Sequence, residues 1–152
     1  MAAKDKLSRG TRIMIDDAAN GTARDLSGDL VPDSISGPGY NAPFVDMTGE
    51  SDAVENGMAD RKKHNLKCKF HANDTASTGA STVLHGIEGV SQITVTVQIG
   101  SAGAAPTTGD MEWEGEYTCL SATLSQEGGR WIHDCEFMPY GSTAPAWGTV
   151  SA

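Results

Sequence analysis

His133, Asp134 and Cys135 stand side by side near the end of the chain, and together they offer a base, an acid and a thiol. Such a trio suits nucleophilic catalysis or metal ligation when the side chains converge. Here the residues around it alternate apolar and polar, so an extended backbone sends His133 and Cys135 to one face and Asp134 to the other. Trp131 and Phe137 share the face of His133 and Cys135, which predicts a packed interior. His71 and Asp74 flank a turn without a further ligand at useful spacing, and His64 and His85 stand alone. Asp16, Asp17 and Asn20 begin like a calcium loop but lack its later acids. A phosphate-cradling glycine loop is missing too. The residues predict no enzyme, no cofactor and no metal site.

The densest ionisable set is Asp110, Glu112, Glu114 and Glu116, alternating with Met111, Trp113, Gly115 and Tyr117. That period of two predicts one strand over residues 110–124, roughly 50 Å long at about 3.3 Å per residue. After Tyr117 the phase shifts, and Leu120, Ala122 and Leu124 take the positions the acids held. The shift predicts a bend or bulge between two packing environments. A row of carboxylates could serve acid–base chemistry or hold a cation, but no base or further ligand accompanies it. The row therefore predicts a wall, unfavourable unless water, cations or a special surface accepts it. Residues 92–99 supply a second polar row, Gln92, Thr94, Thr96 and Gln98, behind Ile93, Val95, Val97 and Ile99.

The elements that must position these rows are mostly strands. Residues 11–16 alternate Ile13 and Ile15; Leu66, Cys68 and Phe70 oppose Lys67, Lys69 and His71; and Glu127-Gly128-Gly129 predicts a hairpin turn into residues 130–138. Val83, Leu84 and Ile87 give residues 80–86 a helical apolar patch. Residues 49–63 show no period and predict a long loop. Residues 139–152 form a Gly/Pro-punctuated tail around Trp147.

At 152 residues and a formal net charge of −9, the chain fits one acidic domain. The charge argues against wrapping nucleic acid, which requires basic patches that displace phosphate counterions. Arg61, Lys62 and Lys63, followed by Lys67 and Lys69, form the one basic cluster. It fits either a solvated edge that discourages aggregation or a surface that meets the acids of a neighbouring copy. Three cysteines, Cys68, Cys119 and Cys135, sit on predicted strands and suit buried thiols better than a disulfide framework. The first ten residues lack the apolar stretch of a signal peptide, and no run approaches a membrane span.

Three motifs in order, Gly10-Thr-Arg-Ile-Met-Ile-Asp16, Arg24-Asp25-Leu26-Ser27-Gly28 and Phe44-Val45-Asp46-Met47-Thr48, precede the irregular stretch from Glu50 and the strand at residues 65–70. In that order the chain resembles the tail tube (major tail) proteins of long-tailed bacteriophages. The second half resembles them in layout rather than wording, and residues 100–109 and 139–152 match no wording of the family.

The resemblance implies a mainly β fold, a β-sandwich or partly closed barrel with one short flanking helix and a long inter-ring loop. It divides the chain into an N-terminal arm (residues 1–10), a tail-tube domain (11–138, with the loop at 39–63) and a C-terminal arm (139–152). It implies a virion protein assembled in the host bacterial cytoplasm. Six copies would form a ring, and rings would stack around a tape-measure protein, closed by a tail terminator. DNA would pass through without specific binding, and no membrane would be involved. Asp46, Thr48, Glu50, Arg61, Lys62 and Lys63 would contact neighbouring subunits. Physics adds an expectation of its own: a basic lining would trap the phosphate backbone, whereas an acidic or neutral one lets duplex DNA slide. Asp110, Glu112, Glu114 and Glu116, or Gln92, Thr94, Thr96 and Gln98, are thus candidates for the channel surface. Two other readings stand beside this one, a head-decoration or head–tail completion protein and an acidic β-sandwich binding module.

Overall fold

The computed structural model describes residues 6–151; residues 1–5 of the expected N-terminal arm and residue 152 of the tail lie outside them. Strands β1 (Thr11–Asp16), β2 (Ala23–Asp25), β5 (Leu66–His71), β6 (Ile93–Ile99), β7 (Met111–Glu127), β8 (Arg130–Pro139) and β9 (Ala146–Thr149) form one antiparallel sheet. Its order is β2-β1-β6-β7-β8-β5, with β9 added alongside β7. A separate two-stranded ribbon, β3 (Phe44–Asp46) with β4 (Gly57–Ala59), stands apart from it. Helix α1 (Ala80–Gly86) has the expected bounds, and Val83, Leu84 and Ile87 are buried as its apolar patch requires.

Strand β7 joins two halves of the sheet. Residues 111–117 pair with β6 and residues 117–127 with β8. Between them the register slips at Leu120: Cys119 faces Phe137, yet Ser121 already faces Glu136. The extra residue is a β-bulge, and it carries out the phase shift read from the sequence. Before it the odd residues Trp113, Tyr117 and Cys119 point inward; after it Ala122 takes over, opposite Cys135. Leu120 itself stays half exposed. Gly128 and Gly129 close the β7–β8 hairpin with φ of +58° and +79°. Positive φ at both central residues is the two-residue turn that matches strand twist, and it favours glycine.

The expected sandwich or partly closed barrel takes the form of this single bent sheet, whose two halves share one core. Ile13, Ile15, Val95, Val97 and Trp113 from one half meet Leu66, Phe70, Cys135 and Phe137 from the other, with Leu84 and Ile87 beside them. Segment 26–36 crosses between the far edges: Leu26 N–H donates to Ile13, then Val31 and Ser36 N–H donate to Lys69 and Lys67. It thereby shields the edge of β5.

Several local expectations change. The loop at 49–63 contains β4, a strand that exists by pairing with β3 and shows no alternation of its own. Within the tail Pro139 ends β8, and β9 folds back so that Trp147 faces Trp113. Gly115 permits this return, because a Cβ there would sit 2.5 Å from the Cβ of Pro145. Trp131 is half exposed, since it pairs with Gln126 near the hairpin end, past the reach of the core.

Candidate functional site

The outward face of the β1–β6–β7 half is a polar grid. Register places Arg12, Gln98 and Glu112 in one row, Met14, Thr96 and Glu114 in the next, and Thr94 and Glu116 in a third. Asp16 joins the third row by accepting the Thr94 N–H at 3.1 Å. The acidic and neutral rows are therefore one surface, knitted across the strands. Thr94 Oγ1 donates to Glu116 Oε1 at 2.7 Å, Gln98 Nε2 to Glu112 Oε2 at 2.7 Å, and Thr96 Oγ1 to Glu114 Oε2 at 3.4 Å.

These contacts explain how the strand tolerates its charges. Carboxylates two residues apart lie about 7 Å from one another. Their repulsion is then only about 0.6 kcal/mol per pair in water-like surroundings. A hydrogen bond to a charged group contributes about 1.5–3 kcal/mol, so a neutral donor beside each acid outweighs the repulsion. Asp16 ends the strand expected over residues 11–16, and its parity with Arg12 and Met14 places it on this face. It is almost fully buried, and that burial raises its pKa against the pull of the Thr94 N–H.

Two candidates leave the grid. Asp110 precedes β7 and ties a local knot: its carboxylate accepts from the Thr107 N–H at 2.9 Å, from Lys6 Nζ at 3.1 Å and from Ser101 Oγ at 3.1 Å. Those partners, Thr107 first, hold its pKa down to about 2. Gln92 lies before β6 with φ of +63°, and its side chain bonds Asn20.

The other candidate residues fall on the β3–β4 ribbon and its root. Asp46, Thr48 and Glu50 sit toward the tip, where Asp46 accepts the Thr48 N–H at 2.8 Å. Arg61, Lys62 and Lys63 sit at the root, where residues 41 and 63 bridge. No residue from 43 to 60 is buried. Phe44, Met47, Val54 and Met58 are all more than half exposed. At the root Lys62 Nζ lies 4.5 Å over the Tyr40 ring, a cation–π contact.

The reactive trio separates as alternation requires. His133 is buried, Asp134 is exposed, and His133 Nε2 lies 2.8 Å from Ser81 Oγ on α1. The pairing with Ser81 was not visible in the sequence, because it depends on how the helix docks. Nδ1 faces the Ala122 carbonyl at 3.5 Å where a catalytic pair would have a carboxylate. The pair locks helix to sheet. Cys68, Cys119 and Cys135 are buried free thiols, and burial pushes Cys119 up to about 12. They are poor nucleophiles there.

Burial also lowers the His133 pKa below its usual 6.5, against the pull of the Ala122 carbonyl and with help from His85 edge-on at 5.7 Å. The fold therefore prefers the neutral ring, and the unfolded chain takes up the proton first as pH falls. The His133 contribution is complete above pH 6.5 and is lost as the pH falls from there through the lower folded value. Urea unfolding followed from about pH 8 to pH 5 should show this decline, and His133→Gln should flatten it. An unchanged slope in His133→Gln would assign the decline elsewhere.

No family model and no curated protein matches the chain. Solved structures do. A chain of an extracellular contractile injection system, in its PVC sheath–tube complex in the extended state, aligns with a TM-score of 0.62 at 11% identity, over 97% of this chain and 94% of that one. The two chains share one fold. A chain from the sheath/tube terminator of the same kind of system aligns at 0.55 and 12% identity, covering 90% and 93%. One from the tail of an empty GTA particle, solved with C6 symmetry, aligns at 0.55 and 14%, covering 99% of each chain.

Proposed function

We propose that this chain is the repeating structural subunit of a tail tube in a phage-like particle, with the polar grid of β1, β6 and β7 lining the channel. The grid carries the reading: three cross-strand rows of acids and neutral donors cover one sheet face, on a fold shared with components of sheath–tube complexes and tails. A wall of this kind repels phosphate and offers no bases for it to adhere to, so duplex DNA can move along it. Arg12, the one cation within these rows, is neutralised by Asp25 at 3.0 Å. Six copies per ring agree with the C6 symmetry of the similar tail. The bacteriophage reading adds stacking of rings around a tape-measure protein, a terminator at the end, assembly in the host cytoplasm and DNA ejection through the finished tube.

Negative-stain electron microscopy of the purified chain at high concentration tests the proposal. Hollow tubes or six-fold rings are expected. A monodisperse monomer across the accessible concentration range would remove the tube reading.

A further inference from the structure

The β3–β4 ribbon is electrically polarised along its length, and its two ends have no ionic partners of their own. Toward the tip stand Asp46, Glu50, Asp52 and Glu55, without a cation among them. At the root stand Arg61, Lys62, Lys63 and Lys67. Among the described residues the ion pairs are Lys6–Asp110, Arg12–Asp25, Arg24–Asp17 and Lys69–Glu127, so neither end contributes to one. From residue 41 to residue 49 an extended ribbon covers roughly 25 Å. That exceeds the Debye length of about 8 Å at physiological salt, so the tip cannot neutralise its own root.

We infer that the acidic tip of one copy docks onto the basic root of the next, in the cleft lined by Ser36, Pro38, Tyr40, Lys63 and Lys67. This inference rests on the tube reading and names the contact that stacks its rings. The cleft has a volume of about 410 Å3 and opens beside the root. Docking there brings the acidic tip to Lys63 and Lys67 in the cleft, beside Arg61 and Lys62 and past the single root acid Asp60, and it covers Val54 and Met47, which otherwise stay exposed to water. Tip and root are different surfaces of one chain, so the contact is heterologous and repeats without closing. The ribbon is built to hold this shape: Asp52 accepts from the Gly49 N–H at 2.6 Å and from Asn56 Nδ2 at 2.9 Å, which fixes the tip loop.

The test is a charge exchange that spares those tip-loop bonds. The Glu50→Lys/Glu55→Lys chain and the Lys63→Glu/Lys67→Glu chain should each lose sedimentable tubes, with melting temperatures within about 2 °C of the parent because the sites are exposed. The chain carrying all four changes sets two new lysines at the tip against two new glutamates in the cleft and should regain tubes. Tubes of the parent should shorten as salt rises. Tubes from either reversed chain, or no recovery in the fourfold variant, would overturn the tip-to-root contact while leaving the tube reading intact. A parent chain that forms no tubes at all would overturn both.

Discussion

Replacing Trp113 by alanine is expected to lower the unfolding free energy by about 3–5 kcal/mol, the usual cost of emptying a buried tryptophan site. Trp113 is almost fully buried on the inward face of β7. Its Nε1 donates to the Tyr117 hydroxyl at 2.8 Å, so the change also leaves a buried hydroxyl short of its partner. The ring holds three parts of the chain together. It meets Trp147 of β9 edge-on at 5.1 Å and stacks on His64 at 6.0 Å, and His64 in turn touches Tyr40 at the ribbon root. The loss should therefore spread: β9 should become susceptible to protease, and the ribbon should lose its fixed base. Urea unfolding gives the magnitude, and limited proteolysis locates the damage. A cost below about 1 kcal/mol would mean that the site collapses around the gap, so that Trp113 is not the hub described here.

The second large effect concerns the grid. On the proposed tube reading, the triple change Glu112→Lys, Glu114→Lys and Glu116→Lys should make assemblies of the chain retain duplex DNA that the parent leaves free. Each copy then presents three cations in place of three carboxylates, and a ring repeats them around the wall. Neutralising several phosphates makes affinity fall by about 10³ or more between roughly 50 and 200 mM salt. Retention should thus be strong at low salt and gone at the upper end. The triple Gln variant separates charge from shape, since it keeps hydrogen-bonding side chains opposite Thr94, Thr96 and Gln98 and should not retain DNA. Co-sedimentation measures binding, and nuclease digestion reports where the DNA sits. Protected DNA in the triple Lys tubes fits a lining; fully digestible DNA would put the grid on the outside of the tube.

Sequence periodicity located β1, β6 and α1 to within a residue, because each buries a regular face and burial leaves a period behind. The phase shift near Leu120 was visible for the same reason: a bulge changes parity, and parity shows in side-chain type. What periodicity could not supply was register. Both polar rows were in view, yet only the pairing of Thr94 with Glu116 and Gln98 with Glu112 makes them one surface. An extended stretch over residues 42–48 was legible, but its partner β4 was hidden, because it buries nothing and Gly57-Met58-Ala59 carries no pattern. Asp110 was grouped with the acids by spacing alone, whereas turn chemistry ties it to Thr107 and a long-range contact ties it to Lys6. The contact between Ser81 and His133 joins residues 52 positions apart, and no local rule reaches that far.

The sheet order also sets a schedule for synthesis. By the time residue 92 is made, β1–β2 and β3–β4 are the only strand pairs whose two members both exist, and β5 still awaits its ladder partner β8. Two-stranded pairs of that size are marginal in water. Ile13, Ile15, Leu66 and Phe70 therefore remain uncovered until β6, β7 and β8 leave the ribosome, and the tight turn at Gly128-Gly129 is the local contact that can gather them. A chain cut short before Arg130 carries every residue of the polar wall but lacks β8, and with it Cys135, Phe137 and the ladder partner of β5. The edge of β5 therefore stays open until the last strands are made, and the far end of the chain closes the fold that the near end begins.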